Sequence, residues 1–95
     1  MTATEIQELR ASYGITQGSL ADILGVNGVT VSKWERGVLA LPTGSGHAHR
    51  LLLIMQQQPA DQRTELGQAL QQELALGGGL AALRKILGWM PQHGA

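Results

Sequence analysis

Apolar residues along this chain recur at spacings of three and four, and nowhere do they alternate over the length of a strand. Ile6, Leu9 and Tyr13 share one face, predicting a first helix over roughly Thr4 to Tyr13. Thr2 or Thr4 can cap it, Glu5 and Glu8 suit its positive end, and Gly14 ends it. Ile15 enters the core before a second cap at Thr16. Leu20, Ala21 and Leu24 mark a second helix that stops at Gly25, the residue best able to take the left-handed conformation. Asn27 caps a third helix, about Gly28 to Arg36, with Val31 and Trp34 turned inward and Gly37 as its stop. The small side chain of Ala21 allows the second and third helices to cross closely.

Val38 to Gly46 reads as a loop, broken by Pro42 and glycines. Ser45 is placed to cap a fourth helix, about Gly46 to Gln57, with Ala48, Leu51, Leu52 and Met55 in one stripe. Leu53 and Ile54 lie off that stripe, so this helix meets either a crowded core or a second partner surface. Gln56-Gln57-Gln58-Pro59 is a shift in composition that divides residues 1–58 from 59–95. Pro59 fits the first position of a fifth helix bearing Leu66, Ala69, Leu70 and Leu74 on one face. Gly77-Gly78-Gly79 breaks the chain before a short sixth helix, about Leu80 to Leu87, and the end should fray. The fold class is all-α, with five or six helices.

The stretch Gln17 to Gly37, QGSLADILGVNGVTVSKWERG, is therefore two short helices joined by a tight turn. Thr16-Gln17, Leu20-Ala21, Leu24-Gly25-Val26, Val31-Ser32 and Trp34-Glu35-Arg36-Gly37 stand at the spacings of the helix-turn-helix of the XRE/Cro family. The chain from about Ile6 to Met55 resembles these phage repressors and bacterial regulators, and HigA-type antitoxins have similar small domains. The resemblance implies a lambda repressor-like helical domain, here with a C-terminal helical extension.

The resemblance also implies roles. In such domains the second helix of the motif enters the major groove. The base-reading positions fall on Gly28, Val29, Ser32 and Lys33. Lys33 can donate to guanine O6 and N7, and Val29 can pack on a thymine methyl. Gly28 departs from the polar side chain often found there, so direct readout is thinner than the family norm. Gln17 is expected to contact phosphate and brace the recognition helix. Thr30, Arg36, Thr43, Ser45, His47 and Arg50 are expected as further phosphate contacts. Arg10 and Glu35 are expected to pair, joining the first helix to the end of the recognition helix.

Composition changes this picture little. The chain has 95 residues, which suits one small domain with an appended element and makes a partner subunit a reasonable expectation. Cysteine is absent, which excludes disulfides and thiolate metal sites. The longest apolar run, Leu51 to Met55, is far too short to span a bilayer, and nothing resembles a signal peptide. The expected location is the cytoplasm of a bacterium or of a phage host, at the nucleoid. Seven basic residues balance seven acidic ones, so DNA binding would need a local basic face. His47 and His49 are two apart and do not share a helical face, and no nucleophile–base set is visible. No catalytic residue, metal or cofactor is expected.

The expected partner is double-stranded DNA, bound by a homodimer that acts as a repressor. Leu66, Leu70, Leu74, Leu83 and Leu87 are the expected dimer face, with Trp89 or Met90 at its edge. Packing of this tail on its own domain is the competing structural expectation. Two other functional readings stay open. In one, the tail captures a partner protein, as in an antitoxin that represses its own operon. In the other, the motif is degenerate and serves an adaptor that does not bind DNA.

Overall fold

The computed structural model describes residues 1–77. Its first helix, α1 (Ala3–Tyr13), starts in a capping box: Thr2 Oγ1 accepts the Glu5 N–H at 3.1 Å, and the Thr2 N–H donates to Glu5 Oε1 at 2.8 Å. There follow α2 (Gln17–Leu24), α3 (Gly28–Glu35), α4 (His47–Gln57), a single 3-10 turn (Ala60–Gln62) and α5 (Arg63–Ala75). Among the described residues there is no strand, and no helix is long and apolar enough to cross a membrane.

The expected caps at Thr16 and Asn27 are both made, to Ser19 and Val29. The fourth helix differs from expectation. Gly46, not Ser45, occupies its N-cap, without a side-chain bond. The fifth differs more. Pro59 does not open α5; it stands in an extended conformation before the 3-10 turn. Arg63, the first residue of α5, explains the register. Its guanidinium donates to Gln58 O (3.0 Å) and Gln56 O (2.7 Å), carbonyls that the end of α4 leaves without helical partners.

One core joins all five helices. It holds Ile6, Leu9 and Tyr13 of α1, Leu20, Ala21, Ile23 and Leu24 of α2, Val31 and Trp34 of α3, Leu51, Leu52, Ile54 and Met55 of α4, and Leu70 of α5. Full burial of each larger side chain contributes about 1.5–3 kcal/mol. Ile54, expected off the stripe of its helix, is buried, whereas Leu53 stays on the surface.

The placement of α5 corrects one expectation. Leu70 is 0% exposed, enclosed by the chain's own core, so it has no surface left for a second copy. Leu66 and Leu74 are half-buried against the same core. α5 packs on α1 and α2, and the close approach is made at Gly67, where a Cβ would meet the backbone of Tyr13. Leu83 and Leu87, and with them the expected sixth helix, lie outside the described residues.

Candidate nucleic-acid interface

The turn between α2 and α3 is set by backbone bonds. Gly25 takes φ 71°, which lets the Val26 N–H reach back to Ala21 O at 3.0 Å. Two residues on, Asn27 Oδ1 accepts the Val29 N–H at 2.9 Å and starts α3. Ala21 is buried where the helices cross, and Leu20, Leu24, Val31 and Trp34 fill the angle between them. The inward face of α3 is thereby fixed, and its outward face follows by default.

A carboxylate locks that orientation. Glu35, the last residue of α3, is 7% exposed. Arg10 of α1 approaches it as a fork, with Nε at 2.6 Å from Oε2 and Nη2 at 3.0 Å from Oε1. Gln17 of α2 donates to Oε1 at 3.0 Å. Gln7 of α1 donates to the Glu35 carbonyl at 2.6 Å, and Arg10 Nη1 donates to Ile15 O at 3.1 Å. Three helices are thus tied at one residue. The hydrogen bonds from Arg10 hold the Glu35 carboxyl below its ordinary pKa against the opposing effect of burial. The same bond raises the Arg10 pKa further above its already high value. Among the described residues no buried side-chain nitrogen or oxygen is left without a partner.

The sequence-derived positions divide into several groups. Arg10 and Glu35 form the expected brace. Gln17 has its amide nitrogen turned to Glu35, so the bracing half of its expected role is visible in the geometry. Gly28, Val29, Lys33 and Arg36 are exposed along α3, Val29 at 56%. Thr30 and Ser32 flank them half-buried. Thr43, Ser45, His47 and Arg50 are exposed around the loop before α4 and its first turn. Arg50 makes no ion pair among the described residues, which leaves its charge free. Gln7 was not singled out from the sequence. Its position three residues before Arg10, on the same side of α1, is the only hint the sequence offers.

Charge separates in a way that the neutral total hides. Arg10 and Arg63 spend their guanidinium groups inside the domain. The other lysine and arginine side chains of the described residues have no ion pair there: Lys33 on α3, Arg36 at its C-cap and Arg50 in the first turn of α4. Glu5 and Glu8 stand on α1, Asp22 is exposed on α2, and Asp61, Glu65 and Glu73 stand on the 3-10 turn and α5. The outward face of α3 itself carries Lys33, with Arg36 at its C-cap, and no exposed acid.

The family described as helix-turn-helix matches residues 6–45, a span that holds the brace, the turn and the whole outward face of α3. No curated protein and no solved structure matches the chain. Residues 6–45 are thus similar to the helix-turn-helix family, and this match and geometry support an XRE-type DNA-binding regulator.

Proposed function

We propose that the chain is a transcriptional repressor that reads a specific operator in double-stranded DNA as a dimer. The observation that carries this is the braced α3. Its exposed face bears Val29 and Lys33 one turn apart, with Ser32 beside them, while Glu35 holds the helix at three points. A rigid helix with a mixed apolar and cationic face suits the major groove, where a thymine methyl and guanine acceptors are offered together. Arg36, Arg50, Gln17, Thr30, Thr43, Ser45 and His47 serve as backbone contacts that hold register. Repression follows from occupying an operator that overlaps a promoter.

Dimerisation is assigned to the part of the chain beyond α5. Leu76, the C-cap of α5, is 80% exposed. Leu80, Leu83 and Leu87 continue the apolar spacing. Two subunits so joined read two half-sites about 34–36 Å apart.

Selection of bound duplexes from a random pool, followed by footprinting, tests this. We expect an enriched sequence with two-fold symmetry and protection of two half-sites one helical turn apart. Absence of any enrichment at low salt would remove the DNA-binding reading. Enrichment of one unrepeated half-site would remove the dimer.

A further inference from the structure

Nine glycines lie among the described residues, and six of them have a local reason to be glycine. Five have positive φ. Gly67 has the Tyr13 backbone where its side chain would be. Of the remaining three, Gly46 is the N-cap of α4, a position where glycine costs only a few tenths of a kcal/mol. That leaves Gly18 and Gly28. Gly18 is the second residue of α2, and Gly28 is the first of α3. A Cβ added at Gly28 meets nothing within 4 Å, and one added at Gly18 meets only Thr16 Oγ1 at 3.9 Å, an ordinary contact. Both residues are exposed. The fold thus leaves room for a side chain at each.

Both bare positions lie in the first turns of the two helices that make the motif. Their neighbours are already occupied within the domain: Gln17 by Glu35, and the Asn27 carbonyl oxygen by its cap. We propose that Gly18 and Gly28 are clearance positions, at which bound duplex DNA enters the space that a side chain would fill. The sugar–phosphate backbone passes at the start of α2, and the wall of the major groove at the start of α3. Gly28 then reads no base. Its absent side chain lets α3 enter deeper, so that Val29 and Lys33 carry the readout. The inference rests on the DNA-binding reading above.

The test compares Gly18→Ala, Gly28→Ala and Gly28→Leu in the full chain, with Gln68→Ala on the exposed side of α5 as control. Melting temperature and affinity for the selected duplex are measured together. The expected result is an unchanged or raised melting temperature with affinity weakened about tenfold by each alanine, and more by leucine. The control changes neither. Alanine variants that bind like the wild type would overturn the clearance role and leave the DNA-binding reading standing. So would a lowered melting temperature, since it would show the glycines serving the fold. Failure of the wild type to select any duplex would overturn both readings, and it is seen before any variant is compared.

Discussion

Gly67 of α5 faces the carbonyl of Tyr13 so closely that a Cβ at residue 67 would lie 1.7 Å from the Tyr13 oxygen. No rotamer change relieves such a contact, because the obstructing atoms are backbone. The helices can cross at this distance only with a hydrogen at residue 67. The crossing brings Leu70 into the core and sets Arg63 over the Tyr13 ring, 5.8 Å from its centroid.

Gly67→Ala should therefore destabilise the domain, even though alanine is the better helix former. Overpacking of this kind costs about 3 kcal/mol. In a domain of this size that lowers Tm by about 10–20 °C. Thermal unfolding followed by circular dichroism measures it. Truncation after Gln58 should be worse, since it removes Leu70, Arg63 and the cover over Tyr13 together. A truncated chain with wild-type Tm would show α5 to be an appendage.

Arg10→Met should expose the cost of the brace. It leaves the Glu35 carboxylate, 7% exposed, with Gln17 as its only remaining side-chain donor. Loss of one partner of a buried pair costs about 3–5 kcal/mol, and Arg10, 26% exposed, places this one near or below the lower end. The effect depends on pH with a definite sign. Glu35 has a folded pKa below its unfolded value of about 4.5. Its contribution is present above pH 4.5 and is lost as pH falls through the folded pKa. Denaturant titrations at pH 7 and pH 3 should show a smaller gap between wild type and variant at the lower pH. An equal gap at both would mean that charge pairing is not what the bridge supplies.

Tyr13 gives the opposite sign. It is the chain's one tyrosine, and its hydroxyl donates to Met55 O at 2.7 Å. Burial pushes its pKa up to about 12 from 10.0. The folded state thus holds the proton more tightly, and the stability this provides is complete below pH 10 and lost as pH rises from 10 toward 12. Tyr13→Phe should cost about 1 kcal/mol at neutral pH, because the Met55 carbonyl loses its shorter bond and keeps only the Gln58 N–H at 3.4 Å. It should also flatten the alkaline arm of the stability curve. Ultraviolet titration of the single phenol gives the pKa directly.

These residues show where the sequence spoke and where it fell silent. Thr16, Gly25 and Asn27 announced the turn of the motif because caps and stops act through local geometry. Leu66, Leu70 and Leu74 announced a buried face, but periodicity says only that a face is covered, not by what. The deciding residue was Gly67, which in a list of residues is merely a weak spot in a helix; its meaning depends on Tyr13, fifty-four positions earlier. Arg63 was similarly mute, since its partners are carbonyls that any sequence would provide. Pairing of Arg10 with Glu35 came from family resemblance alone, as no spacing rule links residues on separate helices. The readers on α3 were legible by exclusion, once Val31 and Trp34 had been turned inward.

Readout and phosphate contact should separate under salt. If Arg36 and Arg50 each neutralise one phosphate, and Lys33 adds its charge in the groove, the plot of log K against log salt should slope about −2 to −3 per subunit. That is shallow for a DNA-binding protein, as three cations, Lys33, Arg36 and Arg50, without an ion pair among the described residues, require. Lys33→Ala should weaken specific binding by about 1–3 kcal/mol and relax preference at one base pair per half-site. Val29→Ala should instead lower preference for a thymine and leave the slope unchanged, because a methyl contact releases no counterions. Replacing that thymine by uracil removes the methyl from the DNA side, and the Val29→Ala variant should then lose nothing further. Arg50→Ala supplies the contrast: equal loss on the selected and on random duplexes, with the slope shallower by about one. Should Lys33→Ala behave like Arg50→Ala, Lys33 is a phosphate contact, and α3 lies shallower in the groove than its exposed face suggests.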